Sequence, residues 1–93
     1  MKDIKLSNGF ECKVDERIAN DFELIQMLAD AKKDVTVYPE VVLKIFGEKQ
    51  TKKLFESLRK DGIVPTANLD GKTYSMADAV ADAVMAAGGD VKN

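Results

Sequence analysis

The run Ile4-Lys5-Leu6-Ser7-Asn8-Gly9-Phe10-Glu11-Cys12-Lys13-Val14 alternates apolar and polar residues on both sides of Asn-Gly, the strongest short-range hairpin signal a sequence offers. The loop length decides whether that alternation is used or wasted. A two-residue loop would set Ser7 opposite Phe10 and pair Leu6 with Glu11, Lys5 with Cys12 and Ile4 with Lys13, mixing charge with apolar surface at every rung. A three-residue loop, with Ser7 and Asn8 in a type I turn and Gly9 left-handed, pairs Leu6 with Phe10 and Ile4 with Cys12 on one face. The other face then pairs Lys5 with Glu11 and Asp3 with Lys13. Matched pairs contribute roughly 0.2–1 kcal/mol each, and a slip of register forfeits all of them together. The pattern predicts a hairpin over residues 2–14 with one buried and one wet face.

Beyond the hairpin the periodicity is helical. After a short connection over residues 15–19, Asn20 with Glu23 reads as a capping box, and Lys32 and Lys33 suit the negative end of the helix dipole. On this helix, over 20–33, Phe22, Leu24, Ile25, Leu28 and Ala29 share a broad face. Met27 and Ala31 extend its edge beyond the width that docking on one neighbour requires. Residues 34–38 should be extended, because the residue before a proline is pushed out of the helical region. Pro39 opens a helix over 39–46 that is apolar nearly all round, and Gly47 ends it. Residues 48–60 form an amphipathic helix, with Thr51, Leu54, Phe55 and Leu58 on one side and Lys49, Lys52, Lys53, Arg59 and Lys60 on the other. Glu56 can pair there with Lys52 and Lys60.

Asp61-Gly62 stops that helix, and Pro65 and Asp70-Gly71 leave room for at most one helical turn at 66–69. Ser75 with Asp78 makes a second capping box, opening a last helix over 75–87 that Gly88-Gly89 closes, with a flexible tail over 89–93. The expected fold is one domain, mainly α (α+β), with an N-terminal two-stranded β-hairpin packed on a small bundle of about four helices.

Composition removes several kinds of chemistry. The 93 residues include one cysteine and no histidine, so an internal disulfide and the usual zinc ligand sets are excluded. Cys12 lies on the apolar face of the hairpin, where a thiol is inert. No cofactor is expected, and no spacing of carboxylates or lysines singles out an acid–base pair, so the chain does not read as an enzyme. Asp78 and Asp82 stand one helical turn apart, but two aspartates are too few for a cation site and make a solvated stripe. With 32% charged residues of both signs and a net charge of −2, the surface is not that of a phosphate-gripping protein. The two helices meeting at Gly47, the second carrying five cations, have the outline of a helix-turn-helix. The absence of a nearby aromatic or Asn/Gln cluster favours a solvated basic face, leaving a small helical DNA-binding regulator as an alternative. There is no signal peptide and no run long enough to span a bilayer, which points to a cytoplasmic protein.

The last helix is the most informative. Met76, Val80, Val84 and Ala87 make one stripe and Ala79, Ala83 and Ala86 a second beside it, with Asp78, Asp82 and Met85 on the remaining side. Small residues permit close approach of another helix, although alanine is also the best helix former. The candidate partner-binding residues are accordingly Met27 and Ala31 on the first helix and Ala79, Ala83, Met85 and Ala86 on the last.

A hairpin containing "NGFEC", then "DERIANDFELIQMLAD", then "YPEVVLKIFGEKQTKKLFESLRKDGIVP" resembles the tail assembly chaperones of long-tailed bacteriophages and prophages. The shared features are the strand pair, the acidic-aromatic helix start at Asn20-Asp21-Phe22-Glu23, the proline-led apolar helix, the Gly-Glu step and the "LR-x-D-G-x-V" stretch from Leu58 to Val64. The likeness covers residues 2–65, and 68–74 looks like an insertion. It implies a non-enzymatic protein that coats the tape measure protein, helps recruit the tail tube protein and forms a homo-oligomer; from the sequence itself, neither a membrane nor a nucleic-acid partner is expected. A structural tail or connector subunit is the other alternative within that setting.

Overall fold

A computed structural model describes residues 1–88. The hairpin has the register that the alternation demands. Strands β1 (Lys2–Lys5) and β2 (Glu11–Val14) are antiparallel, pairing Lys2 with Val14, Asp3 with Lys13, Ile4 with Cys12 and Lys5 with Glu11. Leu6 and Phe10 close the ladder, the Leu6 N–H donating to the Phe10 carbonyl at 2.8 Å, and Gly9 sits at φ 92° as the left-handed residue of a three-residue loop. Ile4, Leu6, Cys12 and Val14 are buried on one face. Burial pushes the Cys12 thiol pKa up, so it stays protonated.

The connection that follows is more ordered than expected. Asp15 caps a 3-10 helix, Glu16–Asn20, and its carboxylate also holds Arg17 at 2.6 Å, which draws the Asp15 pKa down to about 2. Because Asn20 ends that turn, the cap of helix α1 (Phe22–Lys33) moves to Asp21, whose Oδ1 accepts from the N–H groups of Glu23 and Leu24. Lys44 reaches across to Asp21 at 3.2 Å. The segment before Pro39 also departs from expectation. Asp34 caps a 3-10 turn, Val35–Val37, by accepting from the Thr36 N–H and hydroxyl, and Tyr38 is already helical, so Pro39 takes the second helical position. The local cap and the packing of Val37 and Tyr38 on the core override the steric bias that proline imposes.

Helix α2 (Tyr38–Leu58) is two helical segments joined at Gly47, whose φ 74° and ψ 167° lie in backbone space that only glycine enters readily. This one bent element supplies two of the four expected helices. Its first segment buries Val41, Val42, Ile45 and Phe46, while Leu43 stays half exposed; its second buries Thr51, Leu54 and Leu58. Glu56 pairs with Arg59 at 2.7 Å, one turn on, instead of with Lys52 or Lys60. After α2 the chain reverses through Asp61 and Gly62, both at positive φ, between a bridged Lys60 and Ile63, and no helical turn forms at 66–69.

Ser75 opens helix α3 (Met76–Ala87) with both halves of its capping box in place. The Pro65 and Thr66 carbonyls take the N–H groups of Met76 and Ala77. α3 lies against β1, the 16–20 turn and α2, and one core cluster runs from Ile4 to Ala87. The fold is thus mainly helical with a small β part. The flexible tail expected over 89–93, with Gly89 of the closing pair, lies outside the described residues.

Candidate functional site

The structure does not gather the six partner-binding candidates on one open surface. Ala31, Ala79 and Ala83 are buried, the last two at 0% exposure, and Met27 and Ala86 are half-buried against the same core. Only Met85, 71% exposed, faces solvent. The small residues of α3 serve close approach, but within the chain: they let the helix lie directly on the hairpin strand and the 16–20 turn. The edge of α1 expected to stay open, Met27 and Ala31, is the edge that packs inward, and Phe22, Ile25 and Ala29, expected on the docking face, are exposed.

The two aspartates of α3 are structural. Asp78 completes the capping box. Asp82 accepts from the Ser7 backbone N–H at 3.0 Å and from the Tyr74 hydroxyl, tying the hairpin loop and the segment before α3 to the helix. Partial burial pushes the Asp82 carboxyl pKa up, but the bonds from Tyr74 and Ser7 outweigh it and hold it below the usual range. Burial and the same carboxylate push the Tyr74 phenol well above its ordinary value. Among the described residues no group of three or more His, Cys, Asp or Glu could hold a metal ion.

The basic segment is not a helix-turn-helix. Its two helices are joined by Gly47 alone, whereas that motif needs a turn of roughly three to four residues to set its recognition helix. Arg59 is held by Glu56, Lys60 donates to the Thr73 hydroxyl, and Lys49, Lys52 and Lys53 are solvated.

What the bend in α2 creates is an apolar groove of about 500 Å³. Tyr38, Pro39, Val42 and Leu43 form one wall, at the i, i+4 spacing of one helix face. Glu48, Thr51, Lys52 and Phe55 form the other, again from one face. Val35, before α2, and Val64, Thr66 and Met76, from the returning chain, complete the lining. Val35 is 61% exposed, Leu43 50% and Phe55 38%, so the walls are large apolar side chains open to water. The Thr51 hydroxyl is spent on the Gly47 carbonyl at 2.6 Å, leaving an apolar floor. Glu48 and Lys52 place one charge of each sign in the lining. The sequence reading missed this site because its parts come from three separated stretches, and a half-exposed leucine or phenylalanine reads as core on a helical wheel. The available signal was Leu43, which lies off the arc of Val41, Val42, Ile45 and Phe46.

No helix among the described residues is long and apolar enough to cross a membrane. Compared with known proteins, the chain matches no family model, no curated protein and no solved structure.

Proposed function

We propose that this chain is a non-enzymatic assembly chaperone that holds an apolar helical segment of a client protein in the groove of α2. The groove carries the reading. Helix-in-groove recognition needs a trough with apolar walls that receives side chains at i, i+3 or i+4 and i+7, and the half-exposed Leu43 and Phe55 supply such walls. Exposed apolar walls of this kind are costly to leave in water without an occupant. Taken with the resemblance to phage tail assembly chaperones, the client is the tape measure protein, whose long apolar helices need shielding in the host cytoplasm until the tail tube protein assembles around them.

Co-expression with a tape measure protein of a long-tailed phage, followed by size-exclusion chromatography with light scattering, tests this. The expected result is a soluble complex that Leu43→Glu and Phe55→Glu abolish. A tape measure protein that precipitates equally with and without this chain would overturn the reading.

A further inference from the structure

We infer that Gly47 is a hinge between the bent α2 described above and a straight α2, in which residues 48–88 of one copy complete residues 1–46 of another as a reciprocally exchanged dimer. The first observation is one of phase. On a continuous helix turning roughly 100° per residue, the arc of Val41, Val42, Ile45 and Phe46 is centred about 180° from the arc of Thr51, Leu54 and Leu58. A straight α2 would therefore present apolar faces on opposite sides, each needing its own core. One copy has one core and can bury both arcs only by bending; two copies have two cores, one on each side of a straight helix.

The second observation is that nothing but the backbone angle requires glycine at the bend. A Cβ at Gly47 would meet no atom within 4 Å, yet φ 74° with ψ 167° is closed to other residues. Both flanks, 38–46 and 48–58, are already helical, so one residue alone has to change conformation. The third is that side-chain contacts between the two blocks, away from the hinge itself, can form equally between copies. They include the Gln50 side chain, whose oxygen accepts from the Lys13 N–H and whose nitrogen donates to the Lys13 carbonyl, both at 2.7 Å. They also include the Ser7 N–H on Asp82 and the Lys2 ammonium on the Ala86 carbonyl. Exchange of identical elements about a short hinge is a low-cost route to dimers.

The inference goes beyond client binding and does not depend on it. If the groove does hold a client, each groove of the exchanged dimer is built from residues 35–43 of one copy and 48–76 of the other, so that one particle carries two grooves and gains avidity.

The test is Gly47→Ala in the full chain, followed by light scattering. Alanine prefers the helical angles, so the expected mass is twice that of the monomer, and the dimer should persist on dilution and revert only through unfolding. A folded, monomeric Gly47→Ala protein would overturn the inference. If that variant does not fold, the unchanged protein is partly unfolded in urea at high concentration, refolded and diluted. A dimer that survives dilution supports the hinge, and monomer alone refutes it.

Discussion

Ala83 and Met85 lie two residues apart on α3, and the structure assigns them opposite roles that a single substitution separates. Ala83→Glu adds four heavy atoms at a position with 0% exposure inside the core cluster. Overpacking of that kind costs about 1–3 kcal/mol. The carboxyl must also either ionise without solvent or remain protonated; holding a group of ordinary pKa near 4.3 neutral at pH 7 costs about 3.7 kcal/mol. The sum is about 5 kcal/mol or more, against a total stability of about 5–15 kcal/mol for a domain of this kind. At about 4–8 °C per kcal/mol, the melting temperature should fall by about 20 °C or more. Met85→Glu, at 71% exposure, disturbs only the dipole at the C-terminal turn, a cost of about 0.3–1 kcal/mol. Thermal melts followed by circular dichroism at pH 7 compare the two variants directly. If Ala83→Glu melted within a few degrees of the unchanged protein, the alanine stripe would be an open surface, and its assignment to the core would be refuted.

Three further outcomes rest on the same structure. Gly9→Ala should cost about 1 kcal/mol, since φ 92° strains any side chain although nothing lies within 4 Å of a Cβ, and a differential scanning melt unchanged from the parent would contradict the three-residue loop. The folded-state pKa values of Asp15, Asp21, Asp34, Asp70 and Asp82 all lie below their unfolded values, so their contribution is present above pH ~4 and is lost as pH falls through the folded values. The Tyr74 pKa is raised, so its contribution is present below its unfolded value, pH ~10, and lost above it. Urea unfolding between pH 2 and 7 should show the acid loss, shallower in Asp82→Asn; equal slopes would show that the Tyr74 and Ser7 bonds to Asp82 are not formed.

The hairpin was legible down to its register because alternation, loop chemistry and charge pairing all specify the same answer within a dozen residues. The breaks at Gly47 and Ser75 were legible for the same reason, each being set by one residue and its immediate neighbours. The inward side of α1 was not. Its apolar residues cover so wide an arc that the wheel admits more than one orientation, and the choice fell to the anchor at Asp21, which the 16–20 turn and Lys44 fix from outside the helix. The alanine stripe of α3 was legible as small residues at helical spacing, but the wheel does not say whether they reflect helix propensity or close approach, nor whether an approaching element belongs to the same chain. The groove depends on Val35, the two arms of α2 and Met76 meeting in space, which no local pattern encodes.

Whether the groove of α2 receives a client helix is read out by amide chemical-shift mapping of the labelled protein titrated with helical peptides tiling the tape measure protein. Saturable shifts should concentrate at Val35, Tyr38, Leu43, Thr51 and Phe55, with none in the Leu43→Glu variant. Shifts centred on Phe22, Ile25 and Ala29 of α1, or no shifts with any peptide, would contradict it.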